Sequence, residues 1–508
     1  MNLFDAYGSG RERGAYTAAY DEMFANPATL TPRLHYKALF ERLSSLSVAE
    51  FRQRVAHADA TLMNQGVTFT VYNDQRGIER TIPVDLVPRI IPSNEWELLE
   101  RGLKQRIYAM NLFLHDLYHD AKILTDKIIP REIIESAAHY RLAFRGVKAP
   151  QDIYVHICGT DLIRGDDGNW YVLEDNLRTP SGVAYVLENR LILGRVFPQL
   201  FAANRILPVD HYTTQLLNNL RSLSPNPKPT VALLTPGIYN SAYFEHAFLA
   251  QQMGIELVQG ADLFVGSDNV CYMRTTRGPQ RVDVIYRRID DDFLDPETFR
   301  PDSSLGVRGL MRAYSAGNVA LANTVGTGVA DDKVIYRYAP EIIKYYLGEE
   351  AILPNVPTYC AWEEADRSYI LSNLDKLVVK AANESGGYGM LVGTQATAQE
   401  RALFAEKIRE NPRNYLAQPV VELSTAPCFV EGQGIAPRRV DLRPYILTGP
   451  KVDQITIIPG GLTRVALKEG SYVVNSSQGG GSKDTWVIAP SRMRQSQRMG
   501  AMSQEQEL

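Results

Sequence analysis

Residues 154–176 read YVHICGTDLIRGDDGNWYVLEDN, and this stretch carries the clearest structural signal in the chain. The runs 154–157 and 170–173 are rich in β-branched and aromatic residues, and the polar turn 165–168 (GDDG) lies between them. Two β-prone runs around a glycine-containing turn predict a β-hairpin.

The hairpin carries three oxygen-bearing side chains, Asp161, Glu174 and Asn176. Because side chains alternate along a strand, Glu174 and Asn176 point to the same face, and Asp161 on the neighbouring strand can lie beside them. Two carboxylates and an amide oxygen suit Mg²⁺, which takes one or two protein carboxylates and leaves its other positions to water and phosphate. The alternative is a solvated hairpin whose acids are ordinary surface residues.

Further along the chain, residues 378–390 read VVKAANESGGYGM. Lys380 ends an apolar strand predicted over 377–380, where an isolated ammonium would be costly without a counter-charge. Gly386, Gly387 and Gly389 can bring backbone N–H groups against phosphate oxygens. The pattern indicates a lysine and a glycine lid for a triphosphate, and the alternative is a strand-end lysine before an ordinary glycine turn.

Two other glycine-rich runs do not form known phosphate motifs. Residues 479–484 (GGGSKD) lack the spacing of a P-loop. Residues 326–331 (GTGVAD) have two of the three glycines of a dinucleotide fingerprint.

Patterns elsewhere predict the organisation of the chain. An apolar stripe that repeats every three or four residues from Trp96 to Leu117 predicts a long helix, with Asn94 as its cap. The proline-rich run 224–229 (SPNPKP) marks a boundary. Beyond it, strand, helix and strand patterns alternate through 282–286, which is typical of a small parallel-sheet α/β domain.

Composition limits the class of protein. Hydrophobic residues make up 45% and charged residues 22% of the 508, which is typical of a soluble globular protein. A net charge of −4 argues against nucleic acid or an anionic membrane as the main partner. The N-terminus resembles no signal peptide, and no apolar run approaches the ~20 residues that cross a bilayer. Four widely spaced cysteines fit reduced, buried thiols, so we expect a cytoplasmic protein.

Several arginines stand near acidic or strand-end positions. Arg287 and Arg288 follow a strand of the α/β region, where such sheets usually bind ligands. Arg178 comes directly after the hairpin, and Arg443 shares a strand face with Asp441. Each could bind a substrate or form a structural salt bridge.

Taken in order, these pieces resemble the circularly permuted ATP-grasp proteins, the group typified by glutathionylspermidine synthase and its bacterial relatives. The resemblance extends from about residue 154 to 486 and includes the runs TPGIYNSAYFEHAFLAQQMG, YRRIDDDFLDP, NVALANTVGTGVADDK and VVNSSQGGGSKDTW. In an unpermuted ATP-grasp protein the lysines and glycine loop precede the acidic residues, and here they follow them. Permutation is tolerated where the joined ends lie close in space.

The resemblance implies an α+β and α/β fold with a permuted ATP-grasp core, an inserted parallel-sheet α/β domain and a helical N-terminal region. The implied segments are a mostly helical region at 1–150, a metal-binding half at 151–222, a substrate-type α/β domain at 230–325, a nucleotide-binding half at 326–488 and a polar tail at 489–508.

The resemblance also implies ATP and Mg²⁺ as cofactors, with two metal ions expected. The matching metal residues are Asp161, Glu174 and Asn176. Two lysines, Lys333 and Lys380, match those that neutralise the nucleotide phosphates. The phosphate-covering and adenine-lining positions are Gly386, Gly387, Gly389, Gln418, Val420 and Val421. Arg443 and Asn475 match more loosely.

The implied activity is ATP-dependent ligation of a carboxylate to an amine through an acyl phosphate, on small-molecule or peptide substrates. Arg178, Arg287 and Arg288 are candidate clamps for the substrate carboxylate, because a guanidinium matches carboxylate geometry. No cysteine precedes Cys158, so the amidase that often accompanies glutathionylspermidine synthase is not expected. Glutathionylspermidine synthesis proper and a non-catalytic nucleotide-binding module are the alternatives.

Overall fold

A computed structural model describes residues 3–7, 16–70, 79–382, 389–475 and 479–490. Gly386, Gly387 and nearly all of the predicted tail, residues 491–508, lie outside the described residues.

Both strands and helices precede the hairpin. The strands are β1 (Phe24–Asn26), β2 (Thr31–Pro32), β3 (Phe69–Thr70), β4 (Glu79–Arg80) and β5 (Val84–Pro92). The helices are α1 (Lys37–Ser44), α2 (Val48–Asn64), α3 (Ser93–Tyr118), α4 (Lys122–Thr125) and α5 (Arg131–Glu135).

The hairpin and the α/β region follow. The strands are β6 (Ile157–Arg164), β7 (Trp170–Asn176), β8 (Val231–Leu234), β9 (Glu256–Val258), β10 (Leu263–Val265), β11 (Cys271–Thr275), β12 (Gly278–Arg281), β13 (Val284–Arg287) and β14 (Ala320–Ala322). The helices are α6 (Val183–Val196), α7 (Pro198–Ala203), α8 (Tyr212–Ser222), α9 (Tyr243–Met253), α10 (Asp291–Leu294) and α11 (Leu310–Ser315).

The last third is richest in strands. They are β15 (Tyr359–Cys360), β16 (Leu377–Ala381), β17 (Leu391–Val392), β18 (Tyr415–Pro419), β19 (Thr425–Val430), β20 (Gly434–Arg443), β21 (Tyr445–Thr448), β22 (Ile455–Ile457), β23 (Leu462–Val465) and β24 (Gly481–Ile488). The helices are α12 (Lys333–Arg337), α13 (Ala339–Leu347), α14 (Glu364–Ser372) and α15 (Ala398–Glu410).

A nine-stranded sheet forms the main layer. Its order is β22-β21-β6-β20-β23-β24-β5, with β7 paired to β6 and β19 paired to β20. The predicted hairpin is thus confirmed, and β6 lies between two strands from the far end of the chain. The N-terminal region contributes β5, which pairs in parallel with β24 and is almost wholly buried.

Two four-stranded sheets flank this layer. The order β14-β13-β8-β9 is parallel throughout, so the predicted parallel α/β unit is confirmed. The order β15-β18-β16-β17 is antiparallel and belongs to residues 359–419. The segment 326–488 therefore supplies strands to two layers, because its strands from 425 onward join the hairpin in the large sheet.

Two boundaries differ from the sequence expectations. The predicted long helix begins at Ser93, so Asn94 lies inside the helix and the predicted cap is wrong. The first hairpin strand begins at Ile157 rather than at residue 154, because the Asn111 side chain accepts hydrogen bonds from Tyr154 N and Val155 N at 3.0 and 2.8 Å. A side chain thus replaces a strand partner for these backbone groups.

The burial of the cysteines agrees with the expectation from the sequence. Each of the four cysteines is a buried free thiol, and burial raises the pKa of Cys271, Cys360 and Cys428 to about 12. Among the residues that the structure describes, none of the helices combines the length and the apolar character needed to span a membrane.

Candidate functional site

A cleft of about 980 Å³ lies between the hairpin in the large sheet and the antiparallel sheet β15-β18-β16-β17. The residues of its lining that the sequence analysis had named as site residues are Asp161, Glu174, Lys333, Lys380, Gln418, Val420, Val421 and Asn475. These residues come from widely separated parts of the chain, so the fold brings most of the expected nucleotide-site residues together.

Strand pairing places the hairpin acids. Asp161 is directly opposite Glu174, and Gly159 is opposite Asn176. The next pair joins Leu162 to Val172, so Leu173 is an extra residue in a β-bulge. A bulge re-aims neighbouring side chains, and here both Leu173 and Glu174 line the cleft.

Asp161 lies at the centre of a buried charge cluster. Arg443 Nε and Nη2 donate to its two carboxylate oxygens, the Nη2 bond being 2.8 Å. Arg464 Nη2 donates to Asp161 Oδ2 at 2.6 Å and also bonds Asp441. Burial opposes ionisation of Asp161, but the two guanidinium groups outweigh it and hold the pKa below its usual range. Burial raises the pKa of Asp441.

Glu174 and Asn176 lie beside this cluster. Lys333 Nζ is 3.9 Å from one Glu174 oxygen and Arg443 Nη2 is 3.9 Å from the other, while Asn176 Nδ2 donates to Gly159 O at 3.2 Å. These distances leave the Glu174 oxygens outside tight ion pairs. Hard oxygens of this kind fit Mg²⁺ at Glu174 and Asn176. Asp161 is bound by arginines here, and its coordination of a metal stays a prediction.

Lys380 lies at the end of β16, partly buried. Its Nζ donates to Gln418 Oε1 at 2.7 Å, and Gln418 Nε2 donates to Thr358 Oγ1 at 3.0 Å. Burial lowers the pKa of Lys380 to about 8; Lys333 also lowers it, and Glu174 and Asp161 oppose the shift. The amine is therefore held in place by the Gln418 side-chain amide. An anion that enters the cleft would stabilise the charged form of this amine.

Much of the cleft lining is apolar. Met390 and Val392 follow the glycine loop, and Val420 and Val421 follow β18. Gly389, the loop glycine that the structure describes, has φ +65°, a left-handed conformation that favours glycine. The remaining apolar residues of the lining are Ile163, Leu173, Val356, Val378, Ala381, Pro419, Leu423, Val473 and Val474. Such a wall can hold a planar base beside polar backbone groups.

A second cavity of about 720 Å³ adjoins the cleft and shares Glu174 and Lys333 with it. Its lining is mostly polar and includes Asn176, Arg178 and Ala382, which precedes the glycine loop. Its other members are Ala138, His139, Asp175, Thr179, Asp331 and Asp332.

The predicted arginines divide into two groups. Arg178 lines the second cavity, where its Nη1 donates to Asp290 Oδ2 at 2.5 Å, and Arg443 binds Asp161 as described. Arg287 and Arg288 are buried and line neither cavity.

The guanidinium groups of Arg287 and Arg288 are occupied by protein atoms. Arg287 donates to the carbonyl oxygens of Ile289, Asn323 and Thr324 at 2.7–2.9 Å. Arg288 donates to Pro180 O at 2.6 Å. These partners make both residues supports of the fold, which argues against the expected clamping of a substrate carboxylate.

Sequence reasoning missed part of the site. Arg464, Tyr472 and the second-cavity residues Asp331 and His139 were not among the expected residues. Tyr472 lines the cleft, and its hydroxyl donates to Glu422 Oε2 at 2.6 Å. Asp331 lies within the run 318–333 (NVALANTVGTGVADDK) that contributed to the family resemblance. Its neighbours in the cavity come from other segments of the chain, so no local sequence pattern marks it as a site residue.

Comparison with known proteins identifies the family. The profile of circularly permuted ATP-grasp type 2 matches residues 88–466, which is most of the chain. The chain belongs to this family, which confirms the resemblance found in the sequence.

Relatives extend over nearly the whole chain. An uncharacterised protein of Synechocystis is 58% identical over 471 residues, 92% of this chain and 97% of its own length. An uncharacterised protein of Mycobacterium tuberculosis is 48% identical over 497 residues, 97% of this chain and 88% of its own. A Frankia alni protein provisionally named a glutamate–cysteine ligase is 40% identical over 475 residues, 92% of this chain but 54% of its own length.

A solved structure shares the fold. The apo form of a glutathione synthetase-like effector from Globodera pallida superposes with a TM-score of 0.56, covering 87% of this chain and 98% of the effector. The identity is 10%, so this similarity concerns the fold alone.

Proposed function

We propose that the protein is an ATP-dependent ligase that joins a carboxylate to an amine through an acyl phosphate. The observation that carries the proposal is the arrangement of the two cavities, which meet at Glu174 and Lys333. A nucleotide in the cleft would direct its terminal phosphate to this junction, and the polar cavity beyond it has room for a substrate.

The cleft residues fit the parts of ATP. The adenine would lie against the apolar wall near Val420 and Val421, and the phosphates would lie near Lys333 and Lys380. Glu174 and Asn176 would hold Mg²⁺, which neutralises charge on the phosphate oxygens when bound.

The reaction proposed at the junction has two steps. A substrate carboxylate attacks the γ-phosphorus and ADP leaves, and then an amine displaces phosphate to give an amide. Phosphoryl transfer needs little covalent help from the protein. Lys333, Lys380 and Arg443 would stabilise the charge on the transferred oxygens. Asp161 holds Arg443 in place, and Gln418 holds Lys380.

Relatives support the class of reaction. The name of the Frankia alni protein describes formation of a bond between an amino acid carboxylate and an amine. This chain matches about half of that protein, so the name supports ligation in general and leaves the substrates to experiment.

Calorimetric titration with a non-hydrolysable ATP analogue, with and without Mg²⁺, tests the nucleotide site. We expect Mg²⁺-dependent binding to the wild type and binding weakened about ten-fold or more in Glu174→Gln, because the change removes one charged metal ligand. Glu431→Gln is the matched control, since Glu431 is 70% exposed and pairs with Arg52 at the surface.

Absence of binding to the wild type would contradict the proposal. If binding is found, ADP release is then screened over pairs of acids and amines. Glutathione with spermidine is one pair, and amide formation from it would identify glutathionylspermidine synthesis. Binding without ADP release or amide formation for any pair would favour the nucleotide-binding module instead.

A further inference from the structure

The second cavity contains several charged groups, and most of them are already paired. Asp175 accepts two hydrogen bonds from Arg106 Nε at 3.0 and 2.8 Å. Asp332 accepts from Arg413 Nη2 at 2.8 Å. Arg178 is bound to a carboxylate outside the lining, that of Asp290, at 2.5 Å.

The carboxylates of Asp331 and Glu174 are less tightly held. Asp331 Oδ1 accepts from Leu177 N at 2.5 Å, and Asp331 Oδ2 is 3.5 Å from Arg178 Nε. The second distance is longer than a normal N–H···O hydrogen bond. Glu174 is 3.9 Å from Lys333. Because Glu174 is assigned to Mg²⁺ and Arg178 Nη1 is bound to Asp290, the carboxylate that can accept a hydrogen bond from a ligand in this cavity is that of Asp331.

We propose that the second cavity binds the acceptor amine in its ammonium form and that the Asp331 carboxylate receives the proton of that ammonium. This inference rests on the proposed ligase function. The cavity shares Glu174 and Lys333 with the cleft, so an amine bound in it would lie next to an acyl phosphate formed at that junction.

The proton balance of the step is simple. An ammonium has no lone pair, so it must transfer one proton to Asp331 before nitrogen can attack the acyl carbon. The new C–N bond forms as the C–O bond to phosphate breaks, and the departing phosphate takes the second proton. Asp331 then releases its proton to water.

The surroundings of Asp331 suit this role. Burial raises the pKa of Asp331 to about 7, and Asp290 acts in the same direction, while Arg178, the Leu177 N–H and Lys333 oppose the shift. The other charged lining groups are Glu174, Asp175 and Asp332. A carboxyl group that titrates near the working pH is a better general base than one that titrates near 4. Burial lowers the pKa of His139, and the Arg178 guanidinium acts in the same direction.

Ligand-observed NMR titration tests the cavity, with methylammonium as the probe and acetate as a control ligand of opposite charge. Both titrations are made in the presence of Mg²⁺ and the ATP analogue. We expect methylammonium to bind the wild type and to bind Asp331→Asn about ten-fold or more weakly, the effect of losing one charge-assisted hydrogen bond. Asp292→Asn is the control, because Asp292 is a nearby acid that pairs with Arg141 outside the cavity lining.

A second measurement needs no variant. Methylammonium stays charged between pH 6.5 and 8, so its affinity for the wild type should fall as the pH is lowered through 7 and Asp331 takes up a proton. A constant affinity over this range, or equal affinity in Asp331→Asn, would overturn the proposal. So would binding of acetate in place of methylammonium.

The two proposals fail in different ways. If the wild type binds the ATP analogue but not methylammonium, the amine site is wrong and the nucleotide site stands. If the wild type does not bind the analogue, the ligase proposal itself is wrong. Retained analogue binding by Asp331→Asn also shows that this variant is folded.

Discussion

At the residue scale, Asp161 organises the charges around the cleft. Its carboxylate holds both Arg443 and Arg464, and Arg464 in turn holds Asp441. Removing one member of a buried charge cluster leaves an uncompensated charge, which costs far more than an exposed ion pair contributes. The cluster therefore presets the positions of two guanidinium groups beside Glu174.

The lowered pKa of Lys380 predicts that the protein takes up protons when it binds the ATP analogue. Burial lowers its pKa to about 8, so at pH 8 about half of the amines are neutral in the free protein. Phosphate oxygens favour the charged form, so binding of the ATP analogue should take up about half a proton at that pH. Affinity should fall as the pH rises above 8. Calorimetry in buffers of different ionisation enthalpy measures the uptake.

Lys380→Met should abolish this uptake and weaken the binding. Lys376→Met is the control, because Lys376 is an exposed lysine just before the same strand. Equal proton uptake in Lys380→Met and the wild type would assign the titration to another group.

At the scale of elements, the start of α12 places Lys333. Asp332 caps this helix by accepting from Val334 N at 2.8 Å, and Arg413 bonds the same carboxylate. The helix has five residues, so its position depends on such anchors rather than on its own propensity.

Asp332→Ala should lower both stability and nucleotide affinity. Loss of the cap costs about 1 kcal/mol, and Arg413 loses its partner as well. Lys333, the first residue of the helix, is then less well positioned for phosphate. Urea unfolding and analogue titration measure the two effects.

The control for this prediction is another helix cap. Ser47 caps α2 through a capping box with Glu50, far from the cleft. Ser47→Ala should cost about 1 kcal/mol without changing nucleotide affinity. If both variants lose the same stability and keep the same affinity, the cap at Asp332 does not position Lys333.

At the scale of the whole molecule, two strands far apart in the chain, β5 and β24, pair in the large sheet. Lys483 of β24 is buried and donates to Asp85 Oδ1 of β5 at 2.8 Å and to the carbonyl oxygens of Val87 and Pro427 at 2.9 and 2.6 Å. Lys483 is the lysine of the glycine-rich run that failed the P-loop pattern. Its buried amine binds protein oxygens, which agrees with the interpretation that this run is not a P-loop.

Lys483→Met should destabilise the protein by about 3–5 kcal/mol, because Asp85 would be left as a buried, unpaired charge. Adding Asp85→Asn should restore part of the loss, since the uncompensated charge is gone. Urea unfolding measures both variants. Arg52→Ala, at an exposed pair with Glu431, should change stability by less than about 1 kcal/mol. A loss that Asp85→Asn does not reduce would contradict the charge argument.

The sequence by itself determined the local elements and named the candidate site residues. Two β-prone runs and a GDDG turn were sufficient for the hairpin, since residue preference and turn chemistry are local properties. The α/β unit followed from strand and helix patterns in the same way. The family resemblance then supplied residues such as Lys333, which no local pattern marks.

Only the tertiary structure decided what each polar group binds. Arg178, Arg287 and Arg288 look alike in the sequence, but the last two are buried against carbonyl oxygens, whereas Arg178 pairs with Asp290 and lines a cavity. The same holds for Asp331, whose environment comes from residues far away in the chain. The cost of an unpaired buried charge depends on its neighbours in space, and sequence distance carries no information about them.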